Sequence, residues 1–133
     1  MKKSPSNIDY STWVSLKAEL DALLPAILRT TKSVSNENRL LILLKLLEGP
    51  QSFQSLLEAI KLKKTALANH LAILIEDNLV QKPGYARYEV TMEGKNILRS
   101  LVEVQKKNLQ AEKMRLKESR QMSSHFIKEF FKK

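Results

Sequence analysis

The chain has 133 residues and a formal net charge of +9, from 23 Lys and Arg against 14 Asp and Glu, which favours a polyanionic partner such as nucleic acid. Its length fits one domain with helical extensions, and the absence of cysteine excludes disulfides, thiolate metal sites and thiol redox chemistry. Because the longest apolar run, residues 40–44, cannot span a bilayer and the N-terminus has no apolar signal core, we expect a cytoplasmic protein without membrane contact.

The first predicted element is a helix over about residues 8–28, in which apolar side chains recur at helical spacing. Pro25 lacks a backbone donor and crowds the preceding turn, so we expect the helix to kink or restart there. A connection at residues 33–36 follows, with Ser35 or Asn36 placed to cap the next helix. The apolar side chains predict a core or a dimer seam rather than a ligand-binding box; they are Trp13, Leu16, Leu20, Leu23, Leu24 and Ile27.

The next predicted helix runs through Arg39 to Glu48, and the Gly and Pro at residues 49–50 end it. Two short helices separated by a turn follow. Ser52 is placed to cap the first short helix, which ends near residue 60. Residues 61–63 form the turn, and the second helix runs to about residue 77, with Asn78 suited to the left-handed position after it. This arrangement is typical of a helix-turn-helix.

The second helix of this motif has a buried stripe and a polar surface. Leu67, Leu71 and Leu74 recur at spacings of four and three, so they predict the buried stripe. The residues near the helix start that fall on other faces are Lys64, Thr65, Ala68 and Asn69. In a recognition helix, such positions present side chains to the DNA major groove.

A β-hairpin is predicted next, because two extended runs, residues 79–82 and 87–90, flank turn residues. A hairpin directly after a helix-turn-helix is a wing. Thr91 is placed to cap a long final helix, whose apolar stripe is thin between residues 105 and 120. We interpret the apolar cluster at residues 126–131 as a docking surface.

The predicted fold is therefore mainly α with a small β-hairpin: a winged helix-turn-helix at residues 35–101 with N- and C-terminal helical extensions. We expect both extensions, residues 1–34 and 102–133, to mediate dimerisation, because a thin apolar stripe would remain exposed to solvent in a monomer. The net charge is +2 for residues 1–35, +2 for 36–99 and +5 for 100–133. Either the C-terminal segment also contacts phosphates or its lysines form a solvated helix face.

Four groups of residues carry a family resemblance. They are Asn38-Arg39-Leu40 with Ile42-Leu43, Asn69-His70-Leu71 with Leu74, Asn78-Leu79-Val80, and Arg87-Tyr88 followed by Val90-Thr91 and Gly94. With these residues in this order, the segment 35–101 resembles the ArsR-type winged helix-turn-helix repressors of bacteria and archaea. The resemblance implies a winged-helix fold and a role in repressing transcription.

The chain departs from the family pattern in a short wing and at three further points. Asn78 stands where the family often has Gly, a tolerable change because Asn also adopts the left-handed conformation. Ala68 replaces a frequent Ser, which removes a hydroxyl from the DNA-facing surface. Metal-sensing members use cysteine or clustered His and acidic ligands, whereas this chain offers only His70 and His125. We therefore expect neither a metal nor another cofactor, and no residue identifies an effector.

Candidate base contacts lie on the recognition helix. Asn69 can bind adenine through two hydrogen bonds, and Thr65 can meet either polar base edges or a thymine methyl. Because Ala68 supplies no polar readout, specificity is expected to rest partly on DNA shape. The alternative is an ordinary solvated helix face.

Candidate phosphate contacts lie at the helix start and in the wing. Lys63 and Lys64 oppose the helix dipole, which indicates an external anion. His70 can donate to a phosphate or simply pack at the edge of the core. The wing candidates are Lys82, Tyr85 and Arg87, of which the two cations would flank a groove.

These patterns predict a homodimeric, sequence-specific transcriptional regulator, most simply a repressor, whose recognition helices enter successive major grooves of double-stranded DNA about 34 Å apart. A winged-helix module that binds another protein is the alternative, because only +2 of the charge lies in residues 36–99. An enzyme finds little support, since the chain has no acidic cluster with a histidine and no Gly-rich phosphate loop.

Overall fold

The computed structural model describes residues 10–131, and its architecture confirms a mainly helical fold with one small hairpin. In chain order the elements are α1 (Tyr10–Val34), α2 (Glu37–Leu46), α3 (Phe53–Ile60), α4 (Lys64–Glu76), β1 (Val80–Gln81), β2 (Glu89–Val90) and α5 (Met92–Phe130). The chain divides into two units, one up to residue 92 and one from residue 93. No helix within the described range is long and apolar enough to cross a membrane.

The first helix differs from the sequence prediction. α1 is continuous through Pro25, so the predicted restart there is wrong. One proline removes a single hydrogen bond of the ladder, and the helix continues for about four turns before Pro25 and about two and a half turns after it. α1 also runs on to Val34 rather than ending near residue 28, while its predicted beginning at residue 8 lies outside the described residues.

The caps of the next two helices follow the sequence prediction. The side chain of Asn36 accepts a hydrogen bond from the Arg39 amide at 3.1 Å, which fixes the start of α2. Ser52 likewise accepts from the Ser55 amide at 3.1 Å at the start of α3. Each cap satisfies a backbone donor that the first helical turn leaves open. α2 ends two positions before the predicted Glu48.

The core of the first unit lies between α2, α3, α4 and the hairpin. α4 turns its leucine stripe inward, and α2 and α3 contribute the facing apolar side chains, so the predicted stripe is confirmed. Burying each such side chain is worth about 1.5 to 3 kcal/mol. The fully buried core side chains are Ile42, Leu43, Leu46, Leu56, Leu67, Leu71, Leu74, Leu79 and Val80.

The paired strands of the wing are shorter than the two extended runs that the sequence predicts. β1 and β2 pair antiparallel with Val80 opposite Val90, so the ladder covers only part of the two extended runs. An additional bridge joins Gln51 to Tyr88 through two backbone hydrogen bonds of 3.0 and 2.8 Å. This bridge ties the start of the wing's second strand to the connection before α3.

The exit from α4 is held by a left-handed residue and a cross-link to the end of the hairpin. Asn78 has φ of 62°, as its position after the helix predicted. The hydroxyl of Thr91, the residue before α5, donates to the Asn78 carbonyl at 2.7 Å. The Thr91 amide donates to the Leu79 carbonyl at 3.0 Å.

The second unit is the long continuation of α5. All residues from 99 to 131 are exposed, and no ion pair forms among them. Near its end the Phe126 and Phe130 rings stack with centroids 6.3 Å apart, and Phe131 meets Phe130 edge to face at 5.2 Å. The aromatic cluster is thus exposed on the unit that carries it.

Candidate nucleic-acid interface

α4 presents the surface that the sequence predicted for it. Leu67, Leu71 and Leu74 are buried, whereas Thr65, Ala68 and Asn69 are exposed. Leucine spacing sets this division, because residues three and four apart share a helix face while the intervening positions do not. The amide of Asn69 and the hydroxyl of Thr65 are therefore available on one solvent-facing stretch of the first two turns.

Two exposed lysines mark the start of α4. Lys63 is the N-cap residue in an extended conformation, and its side chain makes no capping hydrogen bond. Lys64 begins the helix and is exposed like Lys63. The first turn therefore combines amide donors, the positive end of the helix dipole and two ammonium groups, an arrangement that suits a phosphate oxygen.

His70 lies at the edge of the core rather than in the open. Its Nδ1 atom is 3.5 Å from the Arg39 guanidinium, and burial together with that positive charge holds the pKa of His70 below its ordinary value. A guanidinium can only donate, so this contact favours the neutral tautomer in which Nδ1 accepts and Nε2 carries the proton. His70 therefore contributes no positive charge at neutral pH, and this environment favours the packing interpretation.

The wing carries three exposed candidate residues with different surroundings. The Lys82 ammonium lies 4.9 Å from the centroid of the Tyr88 ring, which holds it against the hairpin. Tyr85 is fully exposed in the turn, and Arg87 is exposed just before the second strand. The side chains of Gln81 and Glu89 hydrogen-bond across the ladder at 2.6 Å.

The structure thus brings the candidates together in two groups, one on α4 and one in the wing turn. It also brings to α4 polar residues that no sequence pattern connects with this helix. Ser33 of α1 donates to the carboxylate of Asp77, and Arg39 of α2 approaches His70. In the sequence, only the family resemblance pointed to Arg39. No pattern pointed to the contact between Ser33 and Asp77, because these two residues are 44 positions apart in the chain.

Within residues 10–131, no group of three or more His, Cys, Asp or Glu side chains is arranged to hold a metal ion. The residues that line the α4 surface are lysine, threonine, alanine and asparagine, which suit phosphate and base-edge contacts.

Comparison with known proteins agrees with this architecture. The family model for bacterial regulatory proteins of the arsR family matches residues 36–82. Reduced HlyU from Vibrio cholerae N16961 is 30% identical, with a TM-score of 0.57 over 65% of this chain and 95% of HlyU. The transcriptional regulator HlyU from Vibrio vulnificus CMCP6 is 29% identical, with a TM-score of 0.56 over 68% and 97%.

A third similar structure is the homodimeric winged helix-turn-helix DNA-binding domain of Mb0332 from Mycobacterium bovis. It is 28% identical, with a TM-score of 0.54 over 64% of this chain and 82% of that domain. A comparison with curated protein sequences finds no match.

Proposed function

The chain belongs to the arsR family of bacterial regulatory proteins, and on that premise we propose that it represses transcription as a homodimer bound to a specific DNA sequence. The family and the fold are those of DNA-binding transcriptional regulators. The observation that carries the finer proposal is the exposed α4 surface. It presents Thr65 and Asn69 beside two exposed lysines, at a helix start that has no side-chain cap. Acting on the chromosome would place the protein in the cytoplasm.

In the proposed complex, the first two turns of α4 enter the major groove. Asn69 reads an adenine through its amide, and Thr65 contacts a neighbouring base edge or a thymine methyl. Lys63 and Lys64 bind phosphates at the groove edge and set the register of the helix. Since Ala68 is exposed and offers only a methyl group, part of the specificity comes from DNA shape.

The wing supplies the remaining contacts. Arg87 and Lys82 bind phosphates beside the groove, and Tyr85 at the turn approaches the backbone or the minor groove. Lys82 is already held against Tyr88, so less side-chain entropy is lost when it meets a phosphate. His70 can add one neutral Nε2 donor to a phosphate but no charge. Bound across a promoter, such a dimer would block polymerase.

Dimerisation is proposed through residues 1–34 and 102–133, the segments that flank the winged helix-turn-helix of residues 35–101. α1 leaves Trp13, Leu16 and Leu23 exposed, and α5 exposes apolar side chains along its length. Isolated helices with such stripes are marginal in water, so a partner copy would bury them. Sedimentation of the protein lacking residues 1–30 or 105–133 tests this, and two truncated proteins that both remain dimeric would overturn it.

DNA binding is tested by a comparison of two double variants. We expect Lys64→Ala with Asn69→Ala to lose most of the preference for a duplex selected by the wild-type protein over a random duplex. The matched control is Lys95→Ala with Asn96→Ala, which removes the same residue types from an exposed stretch of α5 outside the proposed dimerisation segments. If the α4 variant keeps the wild-type preference for the selected duplex over a random duplex, the proposed interface is wrong.

A protein-binding module is the second candidate. α2 and its C-cap residue expose Leu41, Leu44 and Leu47 on the surface of the first unit, and this apolar surface is the observation in favour of a protein-binding module. An affinity for a protein partner that is insensitive to salt, with none for DNA, would decide for it.

A further inference from the structure

α1 packs against the rest of the first unit only near its C-terminal end. Residues 10–26 are all exposed, and partial burial begins at Ile27 and continues at Thr30 and Val34. The single fully buried side chain of α1 is Ser33, a polar residue. The apolar contact that fixes the direction of α1 is therefore small, and polar interactions at its last turn carry much of the orientation.

The first of these interactions joins α1 to the C-terminal end of α4. The Ser33 hydroxyl donates to Oδ2 of Asp77, the C-cap residue of α4. The Asp77 side chain is only 13% exposed, and its other oxygen, Oδ1, lies 3.8 Å from Nε of Arg29. Two side chains of α1 therefore hold one largely buried carboxylate at the end of the recognition helix.

The second interaction reaches the middle of α4 through α2. Nε of Arg39 donates to the Ser33 carbonyl at 2.9 Å, and its terminal nitrogen Nη2 donates to the Lys32 carbonyl at 3.1 Å. Nη1 of the same guanidinium faces His70 at 3.5 Å. Arg39 therefore satisfies carbonyls that the end of α1 leaves open and links them to α4.

We infer that Ser33, Arg39 and Asp77 form a clamp that sets the angle between α1 and the recognition helix and thereby selects the spacing of the two DNA half-sites. This inference rests on the proposed function, because it requires α1 to lie in the dimer seam and α4 to read DNA. The three are positioning residues, acting through the placement of α4. Asp77 and Arg39 hold α4 at two separate places, one at its end and one at its middle, so they restrain its direction as well as its position.

The geometry makes the clamp a sensitive control point. The exposed part of α1, residues 10–26, is about 25 Å long, so a tilt of about 10° at the clamp moves its far end by about 4 Å. One additional base pair between half-sites moves them about 3.4 Å apart and rotates them by about 35°. A dimer with a rigid clamp should therefore discriminate between spacings that differ by one base pair.

The DNA test uses the duplex that wild-type protein selects from randomised DNA, together with versions that carry one base pair more or fewer at the centre. We expect the wild type to lose affinity by about tenfold or more on the altered spacings, which corresponds to about 1.4 kcal/mol. For Ser33→Ala and for Asp77→Ala, the affinities for the selected and the altered spacings should agree to within about threefold. Their affinity for random duplex should stay unchanged, because the phosphate-binding lysines remain in place.

Two further variants serve as controls. Glu76→Ala removes an exposed carboxylate from the adjacent position of α4, so it controls for the charge at this end of the helix. Asp77→Asn retains an oxygen that accepts from Ser33 and should restore most of the spacing discrimination that Asp77→Ala loses. A purely structural role would lower the melting temperature without this pattern of loss and rescue.

A measurement without DNA separates the clamp from the proposed function. The chain has no cysteine, so spin labels at Ser15→Cys and Ala72→Cys report one α1-to-α4 distance when labelled protein is diluted with unlabelled protein. We expect a narrow distance distribution in the wild-type background and a broad one with Ser33→Ala, which removes a single hydroxyl.

The outcomes are distinct. A wild-type protein that binds no DNA refutes the proposed function, while the distance distributions still decide whether the clamp exists. Wild-type binding with unchanged spacing discrimination in both Ser33→Ala and Asp77→Ala overturns the inference alone. A broad wild-type distribution, or equal widths in wild type and Ser33→Ala, overturns it as well.

Discussion

Four exposed cationic side chains of the proposed DNA interface set the expected salt dependence of binding: Lys63, Lys64, Lys82 and Arg87. If all of them meet phosphates in both subunits of a dimer, about eight contacts form and the slope of log K against log salt is about −7. His70 adds nothing to this slope, because its pKa is lowered and the ring is neutral.

Lys64→Ala removes about two of these contacts in the dimer and should flatten the slope to about −5. When salt rises from about 50 mM to about 200 mM, wild-type affinity should fall about 10⁴-fold and that of the variant about 10³-fold. The affinity gap between the two proteins therefore narrows about tenfold over this range. The effect on the slope separates a phosphate contact from a change in the fold.

Fluorescence anisotropy with a labelled duplex measures the slope directly. Lys95→Ala is the control, since Lys95 is an exposed lysine of α5 outside both the proposed DNA contacts and the proposed dimerisation segments. A wild-type slope shallower than about −3 would refute the assignment of these four side chains to phosphates. The same holds if Lys95→Ala flattens the slope as much as Lys64→Ala does.

Three further predictions concern stability. Leu71→Ala should lower the free energy of unfolding by about 2 to 5 kcal/mol in urea titrations, and Ile75→Ala by much less, because Leu71 is buried and Ile75 is 40% exposed. Asn78→Val should cost about 1 to 2 kcal/mol in the same assay, since φ at this position is 62°, whereas Asn78→Gly should be tolerated; equal losses would contradict this reading. The pKa of His70 is lowered from 6.5 in the fold, so between 6.5 and that lowered value the unfolded chain binds more protons and stability should fall as pH falls. The melting temperature of His70→Gln should fall less over this pH range than that of the wild type. A pH profile identical to that of the wild type would contradict the prediction.

Local chemistry determined the boundaries that the sequence predicted well. The caps at Asn36 and Ser52 and the left-handed Asn78 depend on residues within three positions of the helix end, so a short window contains the whole cause. The leucine stripe of α4 is likewise fixed by spacing, which also placed Thr65 and Asn69 on the exposed side.

Tertiary contacts decided what no short window contains. No sequence pattern pairs Ser33 with Asp77, since each is an ordinary polar residue near a helix end. Arg39 acts through carbonyls of another helix, and such partners are chosen by packing rather than by periodicity.

The sequence by itself therefore determined which surface α4 exposes and which residue types lie on it, because helix period and hydrophobicity act locally. Only the tertiary structure decided that His70 is a neutral neighbour of Arg39 and that Lys82 rests on Tyr88. Both results depend on burial and on charges brought close by the fold. The direction of α1 relative to α4 belongs to the same class, because it is set by a few long-range hydrogen bonds around Asp77.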